Sequence, residues 1–144
     1  MNTTLMLADS AQAVNGKLFI LGGGWTDTPL GPDGLVAPQA LAILIQVPWD
    51  QANRPHHLRL RLLTADGHPF RVSDGPSVQI DTDFETGRPP GTHPGVTLPV
   101  PLALNISPMP LPPGRYAWEL TVDEELAWTT QVAFTVRPMP VAVG

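Results

Sequence analysis

Two alternating apolar runs, separated by a short acidic turn, fill residues 116–136. Tyr116, Trp118, Leu120 and Val122 make the first set; Leu126, Trp128, Val132, Phe134 and Val136 make the second. Residues two apart point to the same face of a strand, so each run has one apolar and one polar face. A lone hairpin is barely stable in water, so this one requires another layer over its apolar face. Trp118 and Trp128 are therefore expected in a core.

Prolines reinforce that reading. There are 18 in 144 residues, and each lacks an N–H and breaks a helix interior. Short strands joined by many turns tolerate them. The length fits a single domain over 1–144 that buries about two thirds of its unfolded surface. The apolar fraction, 42%, is ordinary for a globular chain. The formal charge is −5 with no basic run, which leaves no electrostatic footprint for nucleic acid. Cysteine is absent, which suits a reducing compartment without requiring one. The first nine residues lack the basic and apolar regions of a secretory leader. The longest apolar stretch, residues 41–47, is far shorter than the ~20 residues of a membrane helix. A cytoplasmic chain without membrane or nucleic-acid partners is the expectation.

Along the chain, residues 3–8 and 18–21 read as strands. Residues 9–17 read as a connection ending in Asn15-Gly16, a pair suited to a primed hairpin turn. Residues 26–38 read as a surface loop. Residues 40–47 are apolar on both parities, as in a strand covered on two faces. Leu58, Leu60 and Leu62 alternate with His57, Arg59 and Arg61; Val78, Ile80, Thr82 and Phe84 alternate with Gln79, Asp81, Asp83 and Glu85. Residues 69–72 are read as a short strand or extended edge, and residues 86–96 as a second long loop. In 97–107, Pro99 and Pro101 strip N–H groups from one side, which places that strand at a sheet edge. Residues 138–144 form a Pro-interrupted tail expected to fray. About eight short strands without an ordinary helix argue for an antiparallel β-sandwich, immunoglobulin-like or related, ahead of a small barrel.

No chemical motif stands above this background. Gly22-Gly23-Gly24 follows a strand, but Trp25-Thr26-Asp27-Thr28-Pro29 cannot supply the helix of a dinucleotide site; a close backbone approach explains the glycines better. Asp81, Asp83 and Glu85 spread over about 13 Å of one strand, too far for a single cation. Cross-strand pairing with Arg59 and Arg61 is the better account. His56 and His57 point oppositely if they share a strand, and His68 and His93 border loops, so no metal site is assigned. No serine lies in a nucleophile elbow. Paired acids, Asp81 with Asp83 or Glu124 with Glu125, keep glycoside chemistry open. Trp25 and Trp49 border the two Pro/Gly loops; each either caps the end of the fold or belongs to a binding surface. The binding candidates are Trp25, Trp49, Arg88 and His93, with no catalytic residue and no cofactor.

The stretch from Ala8 through Asn15-Gly16-Lys17-Leu18-Phe19-Ile20-Leu21 to Gly22-Gly23-Gly24-Trp25 resembles the opening of an uncharacterised family of small bacterial proteins. Val47-Pro48-Trp49-Asp50-Gln51-Ala52-Asn53 and Leu111-Pro112-Pro113-Gly114-Arg115-Tyr116 resemble it as well. The resemblance covers nearly the whole chain and implies a stand-alone bacterial domain; it carries no activity. The Leu-Pro-Pro-Gly-Arg-Tyr entry is also similar to the last hairpin of many immunoglobulin-like sandwiches.

The leading expectation is a non-enzymatic module that binds a protein partner or assembles with itself. The alternatives are a small-ligand or carbohydrate binder or hydrolase on the same scaffold, and a structural component of a phage or other particle.

Overall fold

A computed structural model describes residues 1–139. Of the tail expected from 138 to 144, residues 140–144 lie outside the described residues. The chain is all-β. In order it forms β1 (Asn2–Ala8), β2 (Ser10–Val14), β3 (Lys17–Leu21), β4 (Asp27–Pro29), β5 (Gln39–Val47), β6 (His56–Thr64), β7 (Gln79–Phe84), β8 (Leu98–Ile106), β9 (Gly114–Val122) and β10 (Thr129–Arg137). Two single 3₁₀ turns, Trp49–Gln51 and Leu126–Trp128, are the helical elements among the described residues.

The strands make a three-stranded sheet in the order β1-β5-β8, a five-stranded sheet in the order β4-β10-β9-β6-β7, and the ribbon β2-β3. Pairing is antiparallel except for β4, which lies parallel to β10 over Asp27–Pro29. β8 is an edge strand, with Pro99 opposite Gln46 and Pro101 opposite Leu44, as the missing N–H groups require. β6 and β7 are neighbours, with Arg59 opposite Asp81. β9 and β10 form the closing hairpin, Trp118 opposite Val132 and Tyr116 opposite Phe134.

Both larger sheets feed one buried cluster. Leu41, Ile43 and Ile45 of β5 join Leu58, Leu60 and Leu62 of β6, Trp118, Leu120 and Val122 of β9, and Phe134 of β10. Trp118 is fully buried, and its Nε1–H donates to the Gln39 Oε1 at 3.0 Å. Gln39 thus enters the core as the acceptor that a buried indole N–H needs. A second, smaller cluster joins Ala8, Ala40 and Ala42 to Ala11 of the ribbon. Even-numbered β5 residues are alanine at positions 40 and 42, so β2 can lie close against that side of the sheet.

Several expectations shift. Residues 10–14 are a strand, because Asn15-Gly16 folds them back on 17–21; both turn residues have positive φ, 52° and 73°. The segment 26–38 is more than a surface loop: Thr28 and Val36 are buried, and Val36 N–H donates to the Met109 carbonyl at 2.8 Å. Residues 69–72 make isolated bridges only, Leu63 with Pro69 and Arg71 with Ser77. Leu126 is 89% exposed and Trp128 only partly buried against the core. Positive φ at Asp123 and Glu124, followed by the 3₁₀ turn, breaks the alternation before β10 begins.

Candidate functional site

The residues singled out from sequence do not converge. The Gly24 N–H donates to the Leu7 carbonyl at 2.7 Å, and Leu7 lies opposite Leu41, at the start of β5. Trp25 therefore sits at that end, edge-on to Phe134 with ring centroids 6.0 Å apart. Trp49 follows the other end of β5, past Val47. Six residues of strand separate Leu41 from Val47, about 20 Å. Gly22 to Gly24 is a strand end with a close neighbour: Gly22 has φ 62°, and a Cβ there would collide with the Asp9 carboxylate.

Trp49 and Arg88 do meet. The Arg88 guanidinium lies 3.8 Å from the Trp49 ring centroid, and its Nε–H donates to the Trp49 carbonyl at 2.9 Å. This stack ties the loop after β7 to the 3₁₀ turn after β5. His93 is exposed farther along that loop, where its carbonyl accepts from the Val96 N–H. Cation–π contacts contribute about 0.5–1 kcal/mol at partly exposed sites. We expect Arg88→Ala to cost about 1 kcal/mol and to change Trp49 emission. Arg88→Lys should recover little of either, since it loses the flat fork. Chemical denaturation followed at both far-UV and fluorescence wavelengths checks this; an unchanged midpoint would remove the clamp.

Polar side chains concentrate on the outer face of β6 and β7. His57 lies between two carboxylates, Nδ1 at 2.8 Å from Asp83 and Nε2 at 2.8 Å from Asp81. Asp81 also accepts from Arg59 Nε at 3.0 Å and from Gln79 at 2.7 Å. Asp83, then Asp81, raises the His57 pKa above its usual 6.5; bonds from Gln79, His57 and Arg59 hold Asp81 well below the usual carboxylate range. Arg61 departs from the expected row. Its β7 opposite is the neutral Gln79, and it pairs with Glu119 of β9 instead. An open depression of about 310 Å³, lined by Arg59, Arg61, Thr121 and Glu124, lies beside these pairs. The carboxylates are already matched by Arg59, Arg61 and His57, and among the described residues no three His, Asp or Glu side chains are grouped to hold a metal ion. The row reads as solvated cross-strand pairing.

The adjacent histidines part, as strand geometry requires. His56 turns inward, 3% exposed, and stacks on Phe84. Its Nδ1 is 2.6 Å from the Asp123 carboxylate and its Nε2 2.7 Å from the Gln51 carbonyl. Asp123 also accepts the His57 backbone N–H at 2.8 Å. This knot fastens the β9–β10 turn to the start of β6 and is structural.

The ribbon is what sequence reasoning missed. Residues directly opposite on an antiparallel pair share a face. Ala11 with Ile20, and Ala13 with Leu18, make the inner face; Ser10 with Leu21, Gln12 with Phe19, and Val14 with Lys17 make the outer one. Ala11 is buried and Leu18 packs on the alanine cluster, whereas Ala13 and Ile20 on the same face are exposed, Ile20 to 38%. On the outer face Val14 is 44%, Phe19 55% and Leu21 71% exposed. A shallow cleft of about 240 Å³ is lined by Ser10, Ala11, Gln12, Phe19, Ile20 and Leu21, residues of both faces. Residues 18–21 are apolar at every position, which fits burial on both faces as well as one buried and one presented face.

The profile of a family of unknown function (DUF6941) matches residues 3–137, which includes every residue of this site. No curated protein matches the chain. No helix of the described residues is long and apolar enough to cross a membrane.

Proposed function

We propose that the chain, which belongs to the DUF6941 family, is a non-enzymatic protein-interaction module whose contact surface is the outer face of the β2–β3 ribbon. The scaffold we infer is a sandwich of the immunoglobulin-like kind, since the three- and five-stranded sheets send their apolar side chains into one cluster. The observation that carries the reading is the contiguous exposure of Val14, Phe19 and Leu21. Single exposed apolar residues are common, whereas a grouped set on a short ribbon is the usual mark of a contact surface. Aromatic anchors such as Phe19 are enriched in such surfaces. The segment Ser10–Leu21 also holds no carboxylate, although the whole chain is acidic.

A carbohydrate platform is less well supported. A sugar would stack on an open tryptophan face, and Arg88 already covers a face of Trp49.

Replacing Phe19 and Leu21 together by aspartate tests the reading. Both side chains are exposed, so stability should stay within about 0.5 kcal/mol of the parent. Association, read as self-association by light scattering or as retention of a host protein on the immobilised chain, should be lost. Unaltered association in the double variant would overturn the assignment of the ribbon.

A further inference from the structure

We propose that the partner of the ribbon is a second copy of the chain, joined edge to edge along β3. The proposal rests on the reading of the ribbon as a contact surface and adds the identity and geometry of what it contacts. It starts from which backbone groups of the ribbon are free. The Asn105 side chain accepts the Ala11 N–H at 3.4 Å and donates to the Ala11 carbonyl at 3.0 Å. Ala11 therefore directs its backbone groups away from β3, and β2's outer edge is capped by an amide that imitates a neighbouring strand. In an antiparallel pair, hydrogen-bonded and non-hydrogen-bonded positions alternate. Ile20, opposite Ala11, then directs its N–H and C=O away from β2, and Leu18, two residues on, does the same. Among the described residues, β2 is the one strand paired with β3, and no backbone bond from another segment reaches Leu18 or Ile20.

Of the other long edges, β7 and β8 are guarded against strand addition, whereas β1 holds neither a proline nor a charge. β8 carries Pro99 and Pro101, and β7 carries Asp81 and Asp83. From Leu18 to Leu21 β3 has neither a proline nor a charge. Its free groups also fit themselves. With a two-fold axis at Phe19, antiparallel pairing sets Leu18 against the second copy's Ile20 and Ile20 against its Leu18. Both free positions on each strand are then hydrogen-bonded, and the two Phe19 rings meet across the axis. Electrostatics favours the same face. Each copy carries a charge of −5, and the joined segments contribute only Lys17, which lies opposite the second copy's Leu21. The strand is short, so the dimer is weak and concentration-dependent, at the low end of interface sizes.

The chain has no cysteine, so a single introduced one reports the geometry. A non-hydrogen-bonded antiparallel pair brings Cα atoms to about 4.5 Å, within disulfide range. Under mild oxidation, Phe19→Cys should form the disulfide dimer at least tenfold faster than Val14→Cys, which places an exposed cysteine on the same face of β2. Ile20→Pro removes an N–H that bonds nothing in the monomer; added to Phe19→Cys, it should return cross-linking to the Val14→Cys rate. Far-UV circular dichroism verifies that each variant is folded. Equal rates for the two cysteine variants, or cross-linking that survives Ile20→Pro, would overturn the proposal. A strictly monomeric chain that retains a host protein through Phe19 and Leu21 would overturn the dimer and leave the contact surface standing. Loss of both would remove the two together.

Discussion

Trp118→Ala should lower the unfolding free energy by about 3–5 kcal/mol, the range for removing a buried aromatic side chain. Against a total of about 5–15 kcal/mol for a domain, this removes a third or more of the stability in most of that range. Trp118 is fully buried between Leu62 of β6 and Val132 of β10, so the vacated volume cannot be reached by solvent. A second cost falls on Gln39, which is 2% exposed and accepts from the indole N–H. Trp118→Phe separates the two terms. It keeps most of the apolar volume but orphans the amide, and unpaired buried polar groups cost about 1–3 kcal/mol. Combining Trp118→Phe with Gln39→Leu should recover part of that cost. Urea denaturation followed by circular dichroism measures all three. A Trp118→Phe variant within 0.5 kcal/mol of the parent would show that the Gln39 bond contributes nothing.

Period-2 patterning made β6, β7, β8, β9 and β10 legible, because each sends alternate apolar residues toward the core and turns the residues between them to the other face. The proline pair in β8 and the Asn15-Gly16 turn were equally readable, since each restricts backbone geometry locally. What escaped lacked a local cause. β2 and β4 are short, and their strand character comes from the partners they meet, β3 and β10. Val36 is buried by Met109, more than seventy residues away. Exposure of Phe19 and Leu21 depends on how little of the ribbon the alanine surface covers, and β3 reads the same whether it is covered once or twice. Trp25 and Trp49, each expected to cap the fold or to join a binding surface, stand at the two ends of β5; sequence shows that each follows an apolar strand and not which end of the fold that strand reaches. Similarly, the opposed directions of His56 and His57 follow from strand geometry, whereas their carboxylate partners come from β7 and from the turn after β9.

Asp123 offers the second large effect. Its carboxylate accepts from the His57 N–H and faces the His56 Nδ1, while its own N–H donates to the His57 carbonyl. Removing the carboxylate leaves the buried His56 Nδ1 and the His57 N–H without this partner, and unpaired buried polar groups cost about 1–3 kcal/mol each; Asp123 is partly solvated, so about 2–4 kcal/mol is expected for Asp123→Ala. Part of that is backbone strain at φ 53°, which Asp123→Gly relieves. The difference between the Ala and Gly variants isolates it. Asp123→Asn should be far milder: its carbonyl accepts the His57 N–H and its amide donates to Nδ1, while an Nε2–H donates to the Gln51 carbonyl. The pH dependence distinguishes them. Burial raises the Asp123 pKa, but the bonds from His56 and His57 outweigh it and hold it below the ordinary 3.8. Stability from Asp123 is therefore full above about that value and is lost as pH falls through the lower folded value. His57 runs oppositely: with a folded pKa raised above 6.5 by Asp83 and Asp81, its contribution is full below 6.5 and fades as pH rises through the folded value. Asp123→Asn should flatten the acid limb of the stability–pH curve and leave the limb above pH 6.5 in place. An acid limb as steep as the parent's in Asp123→Asn would show that Asp81 and Glu119, and not the His56 knot, govern acid unfolding.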